Sequence, residues 1–208
     1  SLPSAVPAVQ ALHRVPEAGI DTRQYIGLDR NERLSPFPDW FMDNIRQSVQ
    51  SDLLKLYPSQ DELEQELADD IGLPVDQIIL TPSSDSAFKA LYQAYIGPRD
   101  SVVMLDPSYA MFPVYAHMFQ GTPVLVPFDQ NLEIDTEQLL ESIIPGVRLV
   151  MIANPNQPTG TVLSDDIILE MIDRAARVGT LVVIDEAYYP FSHATALPWV
   201  REYPNLVV

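Results

Sequence analysis

Short apolar runs alternate with segments of helical spacing over most of this 208-residue chain. The runs at residues 149–152 and 181–184 are β-branched and apolar throughout, which is typical of parallel strands covered on both faces. The predicted strands are residues 78–81, 101–105, 122–126, 149–152 and 181–184, with one more beginning at Val207. The predicted helices are residues 38–49, 59–67, 84–95, 109–119, 135–143 and 164–177, with N-caps at Ser59, Asp135 and Ser164 and a C-cap at Gly72. This alternation predicts an α/β fold in three layers, with helices on both faces of a mostly parallel sheet.

The N-terminal part differs in composition from the rest. Residues 1–37 are rich in proline and weakly periodic, which favours an N-terminal arm and small-domain segment. Residues 38–208 are predicted to form one large domain, which is long enough to bury a sizeable core. The last predicted strand has only two residues before the sequence stops, so we expect this domain to be incomplete at its C-terminus.

Acidic residues far outnumber basic ones. The 29 Asp and Glu against 12 Lys and Arg give a formal net charge of -17, which repels nucleic acids and membrane surfaces and argues against both as partners. With only Lys55 and Lys89 as lysines, a phosphate ligand has to rely on helix N-termini and hydroxyls. The lack of cysteine excludes disulfides, thiolate metal sites and a cysteine nucleophile, and it fits a reducing, cytoplasmic location. No apolar run approaches the ~20 residues that span a bilayer, and no secretory signal is recognisable.

A carboxylate and a phenol follow the predicted strand at residues 181–184. Asp185 and Tyr188 belong to the string DEAY, just past the carboxyl end of that strand, where open parallel sheets bind their ligands. The carboxylate can pair with a cationic ring nitrogen and the phenol can donate to an oxygen of the same ligand, which is the chemistry that a pyridinium cofactor needs. The alternative is that Asp185 bonds to its own turn and Tyr188 packs in the core.

A stiff polar loop follows the predicted strand at residues 149–152. In NPNQPTG, residues 154–160, two prolines fix the backbone and a glycine permits close approach. Gln157 or Asn156 can then present an amide to a ring substituent. An ordinary turn between strand and helix is the alternative.

Two further strand ends carry hydroxyls and an aromatic ring. In PSSDS, Ser84 and the backbone amide of Asp85 are candidate phosphate donors at a helix N-terminus, although serine and aspartate are also ordinary capping residues. In DPSYAMF, the ring of Tyr109 can lie against a flat ligand or pack in the core. The three histidines have no metal-binding spacing, so we predict no metal site, and there is no GxSxG nucleophile elbow.

Taken in order, LDRNERLSP, LYPS, SSDS, DPSYAMF, NPNQPTG and DEAY resemble the aspartate aminotransferase superfamily, most closely the histidinol-phosphate aminotransferases among its class I and II members. The resemblance implies the large-domain fold of pyridoxal phosphate-dependent transferases, with pyridoxal 5′-phosphate as cofactor. It implies transfer of an amino group between a 2-oxo acid and an amino acid, with histidinol phosphate and aromatic amino acids as candidates. It implies that Asp185 pairs with the ring nitrogen of the cofactor and that Tyr188 donates to its phenolic oxygen. It also implies that the Tyr109 ring stacks on the cofactor ring, and that Ser84 and Asp85 donate to the cofactor phosphate.

The resemblance also bears on assembly and on the substrate. Tyr57 in LYPS matches a tyrosine that reaches the cofactor phosphate of the neighbouring subunit, which implies a homodimer with shared sites. Asn31 and Glu32 match a motif near the substrate.

The chain departs from the family pattern in several places. Gln157 stands where an asparagine is usual, Ser86 where the histidinol-phosphate group commonly has an acidic residue, and Asp29 where asparagine is frequent. The family's Schiff-base lysine follows the next strand, which these residues do not reach, so we expect no turnover from the chain alone. A lyase or decarboxylase with the same cofactor, and a non-catalytic α/β scaffold that binds a partner, are the alternatives.

Overall fold

The computed structural model describes Asn31 and residues 33–208. These residues divide into two compact units, one ending at Leu80 and one running from Thr81 to Val208. The sequence instead predicted a boundary between residues 37 and 38. That boundary stays a prediction, because most of residues 1–37 lie outside the described part of the chain. Within that described part, no helix is both long enough and apolar enough to cross a membrane.

The regular secondary structure in the described residues of the first unit is helical. Its helices are α1 (Asp39–Ser48), α2 (Ser51–Lys55) and α3 (Asp61–Ile71), followed by a 3-10 turn at Val75–Gln77. Gly72 ends α3 in the left-handed conformation, with φ of 72°, as predicted for a C-cap glycine. The predicted N-cap at Ser59 is wrong. Because α3 begins only at Asp61, Ser59 Oγ accepts the N–H of that first helical residue (3.2 Å) and bonds the turn before the helix.

One predicted strand does not form. Residues 78–81 carry no strand, and the side chain of Ile79 is 84% exposed. The apolar run satisfies the local pattern, but a strand also needs a hydrogen-bonded neighbour, and none of the five strands of the described sheet pairs with it. The run lies where the first compact unit ends and the second begins.

The second unit is built on one parallel sheet. Its strands are β1 (Ser101–Asp106), β2 (Thr122–Pro127), β3 (Val147–Ala153), β4 (Leu181–Asp185) and β5 (Leu206–Val207), in the order β2-β1-β3-β4-β5. All neighbouring pairs are parallel. Its helices are α4 (Ser84–Tyr95), α5 (Met111–Met118), α6 (Thr136–Glu141), α7 (Asp165–Val178) and α8 (Tyr189–Ser192), with a 3-10 turn at Leu197–Trp199. The predicted parallel-sheet α/β fold is confirmed, whereas α8 is too short for helical periodicity to reveal it.

Helices cover both faces of this sheet. One buried cluster joins alternate strand residues to α6 and α7, and it includes Val103, Val150, Ile152, Leu139 and Met171. The other joins the intervening strand residues to α4 and α5, and it includes Val102, Leu149, Met151, Phe88 and Phe112. Successive side chains of a strand point to opposite faces, so strands that are apolar throughout need a helical layer on each side. Each fully buried aliphatic or aromatic side chain stabilises the fold by about 1.5–3 kcal/mol, and the three-layer prediction is confirmed.

The strand order reverses beside β1. The chain passes from β1 to β2 on one side and returns to β3 on the other, which opens a crevice beyond the carboxyl ends of β1 and β3. Ala153 pairs with Asp185 where β3 and β4 end. The loops after β1, β3 and β4 therefore meet at one edge, which we call the carboxyl edge.

Candidate active site

Asn156 joins the loops after β1 and β3 across the crevice. Its side-chain Nδ2 donates to the Pro107 carbonyl (3.0 Å) and to Thr159 Oγ1 (2.9 Å), and its Oδ1 accepts from Ser108 Oγ (2.8 Å). Asn156 is only 2% exposed. Both protons of its amide are engaged within the protein, so Asn156 fixes the two loops and leaves Gln157 as the amide that can face a ligand.

Asn154 positions the end of β4. Its backbone N–H donates to the Asp185 carbonyl (2.9 Å), and its Oδ1 accepts from the backbone N–H of Leu163 (2.9 Å). The residue is fully buried, and its Nδ2 has no hydrogen-bond partner within the described residues. These bonds hold the backbone of Asp185 at the end of β3.

Asp185 brings a partly buried carboxylate to the carboxyl edge. Its Oδ1 accepts the backbone N–H of Ala187 (3.1 Å), and no other hydrogen bond to this side chain occurs in the described part of the chain. Burial raises the pKa of this carboxyl, and the Ala187 bond opposes that rise only in part. One oxygen of Asp185 thus bonds to the turn that follows it, which agrees with the alternative that Asp185 serves its own turn. The carboxylate still has lone pairs that can accept a hydrogen bond from a cationic donor.

Tyr188 and Gln157 meet although they are far apart in sequence. The Tyr188 hydroxyl donates to Gln157 Oε1 (3.0 Å). The structure therefore brings together the two predicted neighbours of a phenolic oxygen. Gln157 Nε2 is a second donor at the same place.

The N-terminus of α4 supplies open donors. The first bonds of this helix go to the Ser83 carbonyl, from the N–H groups of Ser86 (3.2 Å) and Ala87 (3.4 Å). The N–H groups of Ser84 and Asp85 have no acceptor among the residues that the structure describes. Together with the positive end of the helix dipole, these donors form an anion-binding arrangement.

Tyr109 links α4 to the carboxyl edge. Its hydroxyl donates to Asp85 Oδ1 (3.2 Å). Burial, followed by the charge and hydrogen bond of Asp85, raises the pKa of Tyr109 to about 12, with smaller contributions from Asp185 and Tyr188. Tyr109 follows β1, whereas Asp185 ends β4 and Tyr188 follows it, and both strands end at the carboxyl edge.

The roles of three other predicted residues are not tested by this arrangement. Asn31 and Tyr57 belong to the first compact unit, where the Tyr57 side chain is fully exposed. Glu32 lies outside the described residues. The roles assigned to these three residues stay predictions.

Comparison with known proteins identifies the family. The family described as aminotransferase class I and II matches residues 23–208. The chain belongs to this aminotransferase family. A histidinol-phosphate aminotransferase from Dehalococcoides mccartyi is 32% identical over 198 residues, which are 94% of this chain and 53% of that protein. Histidinol-phosphate aminotransferase 2 from Nitrosospira multiformis is 32% identical over 198 residues, covering 92% of this chain and 50% of the relative.

Solved aminotransferase structures share the fold. The histidinol-phosphate aminotransferase from Clostridium acetobutylicum gives a TM-score of 0.68 at 22% identity, covering 80% of this chain and 49% of that one. A tetra mutant of Thermus thermophilus aspartate aminotransferase gives a TM-score of 0.70 at 20% identity, and the match covers 88% of this chain and 50% of that one. The chain spans about half the length of the curated relatives it matches. The resemblance noted in the sequence is confirmed.

Sequence reasoning missed two residues that support this candidate site. Tyr115 donates to Asp85 Oδ2 (2.8 Å) from the buried face of α5, and Asn154 supports Asp185 as described above. A signal for Tyr115 exists, since it follows Phe112 at helical spacing and a buried tyrosine hydroxyl normally needs a partner. Sequence spacing alone does not name that partner.

Proposed function

We propose that this chain forms the cofactor-binding part of a pyridoxal phosphate-dependent aminotransferase. The reaction transfers an amino group between an amino acid and a 2-oxo acid, and histidinol phosphate or an aromatic amino acid is the candidate donor. Family membership supports the reaction class, and the 32% identity to histidinol-phosphate aminotransferases supports that donor. When bound, the cofactor supplies a protonated ring that acts as an electron sink for a carbanion.

The carboxylate of Asp185 is the observation that carries this proposal. It is partly buried, its pKa is raised by burial, and a single backbone N–H is its only hydrogen-bond donor within the described residues. A cationic ring nitrogen would supply the charge partner that a desolvated carboxylate needs, and the carboxylate would keep that nitrogen protonated. The donor set at the carboxyl edge therefore fits the cofactor.

The other candidate residues divide the remaining cofactor groups among them. Ser84 and the backbone N–H of Asp85 would hold the phosphate, which is important because the chain carries a net charge of -17 and only 12 Lys and Arg. The ring of Tyr109 would stack on the cofactor ring. Gln157 Nε2 would donate to its phenolic oxygen, and the Tyr188 hydroxyl would donate there as well when its proton turns away from Gln157 Oε1. Binding and orientation are thus the roles that we assign to this chain.

Cofactor binding tests the role of Asp185. We expect equilibrium dialysis of the 208-residue chain against pyridoxal 5′-phosphate to show saturable binding. Asp185→Asn should lower that affinity roughly a hundredfold, because loss of one partner of a desolvated charge pair costs about 3 kcal/mol. Asp106→Asn is the matched control, since it removes a carboxylate from the exposed carboxyl end of β1, which β3 separates from β4. Equal affinities for the two variants would contradict the proposal.

Product analysis of a protein extended through the expected Schiff-base lysine tests the reaction, because we expect no turnover from the 208-residue chain alone. A panel of amino donors that includes histidinol phosphate, supplied with a 2-oxo acid, should yield the matching amino acid from the acceptor. Release of ammonia or carbon dioxide without that product would favour a lyase or a decarboxylase.

The proposed enzyme is a cytoplasmic homodimer in which Tyr57 completes the phosphate site of the partner subunit. The fully exposed Tyr57 ring and the lack of buried side chains in α1 and α2 support a further interface. The absence of cysteine supports a reducing compartment, which cell fractionation would test.

Mixing two defective proteins tests the shared site. If Tyr57→Phe and Asp185→Asn proteins are mixed, half of the dimers are mixed and one of their two sites contains both native side chains. We therefore expect recovery of roughly one quarter of the native cofactor sites. No recovery, in a mixture that light scattering shows to be dimeric and exchanged, would contradict the role of Tyr57.

A further inference from the structure

Two phenols hold the side chain of Asp85 at the start of α4. Tyr115 donates to Asp85 Oδ2 (2.8 Å), and Tyr109 donates to Asp85 Oδ1 (3.2 Å). Tyr115 lies on α5, is 4% exposed and packs in the cluster that contains Phe88 and Phe112. Both carboxylate oxygens of Asp85 are therefore directed to hydroxyls from outside its own helix.

This arrangement matters because of the place of Asp85 in the helix. Asp85 is the second residue of α4, next to the N–H groups of Ser84 and Asp85, which lack acceptors in the described part of the chain. A mobile carboxylate in a first helical turn is attracted to such donors and to the positive end of the dipole. It would compete with an incoming anion for the same N–H groups, and its charge would repel that anion.

We infer that Tyr115 is a positioning residue for the phosphate of the cofactor. By holding the Asp85 carboxylate against α5, its hydroxyl leaves the backbone donors of α4 available to an anion. This inference rests on the proposed function, because it concerns the phosphate site assigned there. It adds a residue that does not touch the cofactor but controls a competing negative charge.

Tyr115 is the cleaner of the two phenols to test. Tyr109 is also the proposed stacking ring, so its removal would change two contacts at once. Tyr115 has the shorter bond to Asp85, and its ring is packed within the core. Tyr115→Phe keeps that packing and removes only the hydroxyl.

Tyr92→Phe is the matched control. Tyr92 is fully buried in the same cluster, and its ring centroid lies 5.8 Å from that of Tyr115. Its hydroxyl has no hydrogen-bond partner within residues 33–208 or at Asn31. This substitution removes a buried phenol hydroxyl without touching Asp85.

The experiment compares two ligands that differ only in the phosphate. Binding of pyridoxal 5′-phosphate and of pyridoxal to the 208-residue chain is measured for the native protein, Tyr115→Phe, Tyr92→Phe, Asp85→Asn and the Tyr115→Phe/Asp85→Asn double variant. We expect Tyr115→Phe to weaken pyridoxal 5′-phosphate binding roughly tenfold, the scale of one hydrogen bond to a charged group, and to leave pyridoxal binding unchanged. Tyr92→Phe should change neither. In the Asp85→Asn background, Tyr115→Phe should have no further effect on pyridoxal 5′-phosphate, because the competing charge is gone.

The outcomes separate the inference from the function on which it rests. A native chain that does not bind pyridoxal 5′-phosphate would overturn both. If the native chain binds but Tyr115→Phe binds equally well, or loses both ligands to the same extent, only the inference is overturned. Circular dichroism of each variant, and rescue by Asp85→Asn, distinguish a positioning effect from loss of the fold.

Discussion

The two ends of the parallel sheet both carry buried polar side chains, but they use them differently. At the amino edge, where β3, β4 and β5 begin, Thr180 Oγ1 donates to the Val147 carbonyl (2.6 Å) and Asn205 Nδ2 donates to the Ile172 carbonyl (3.0 Å). At the carboxyl edge, Asp185 has one backbone donor and the first N–H groups of α4 have no acceptor within the described residues. Polar side chains join backbone segments at both edges, but at the carboxyl edge a carboxylate and backbone N–H groups also stay available to a ligand.

The amino edge also contains a cavity. A cavity of about 550 Å³ opens at the amino edge, and its lining includes Tyr95, Arg148, Asp173, Thr180, Tyr203 and Asn205. Thr180 and Asn205 already bond to backbone carbonyls there, although Asn205 Oδ1 is buried without a partner in the described residues. The carboxyl edge instead gathers a carboxylate, phenols and a helix N-terminus. The candidate site is therefore assigned from the chemistry of the carboxyl edge, since the presence of a cavity alone does not identify a binding site.

The greatest change in stability that we expect comes from Thr180→Val at the amino edge. This substitution leaves the buried Val147 carbonyl without its hydroxyl donor and should lower the free energy of unfolding by about 2 kcal/mol. Affinity for pyridoxal 5′-phosphate, measured on the folded protein, should stay within roughly twofold. Thr122→Val, at the exposed start of β2, is the control and should have little effect in urea unfolding. A large loss of cofactor affinity in Thr180→Val would abolish the distinction between the edges.

A smaller change, of opposite sign, is expected at the start of α4. Ser83 has φ of 83° and ψ of 159°, a region that is essentially restricted to glycine, and its side chain makes no capping bond. The strain of about 1–3 kcal/mol exceeds the ~1 kcal/mol entropic penalty of glycine. Ser83→Gly should therefore raise the free energy of unfolding by about 1 kcal/mol, whereas Ser83→Ala should not. Equal urea midpoints for all three proteins would contradict backbone strain at the start of α4.

The smallest effect that we expect is on the pH dependence of stability, which tests whether the carboxyl group of Asp185 is desolvated at the carboxyl edge. Because burial raises the pKa of Asp185 above its unfolded value, the native state binds this proton more tightly than the unfolded state does. Without cofactor, the native protein should thus lose stability relative to Asp185→Asn as the pH rises. The loss begins near the pKa that Asp185 has in the unfolded state and is complete above the pKa that it has in the folded state. Urea unfolding of both proteins across that range checks the sign. A relative gain for the native protein with rising pH would contradict the desolvation of Asp185.

Much of this fold could be predicted because local sequence decides it. The bounds of α4 match the predicted residues 84–95, and Asp135 caps α6 by accepting the Gln138 N–H (2.9 Å), as its position predicts. Ser164 occupies the N-cap of α7, although its side chain makes no capping bond. Residues 78–81 failed as a strand because pairing depends on a distant neighbour, which no local pattern supplies.

The candidate site likewise has a part that the sequence predicted and a part that it did not. The strand-end rule predicted that Asp185, Tyr188 and Gln157 would lie at one edge, and the structure brings them together. The bonds from Tyr115 to Asp85 and from Asn156 to the Pro107 carbonyl join residues at least 30 positions apart. Such pairs depend on how helices and loops pack, so residue types and spacing did not reveal them.

The protonation state of the bound ring nitrogen gives the clearest answer. Nitrogen-15 NMR of the chain loaded with pyridoxal 5′-phosphate labelled at the ring nitrogen distinguishes the protonated ring from the neutral one. We expect a protonated nitrogen in the native chain at neutral pH, and a neutral nitrogen in whatever fraction of Asp185→Asn can be loaded. A neutral nitrogen in the native chain, or a signal that is the same in both proteins, would contradict the pairing of this ring with Asp185.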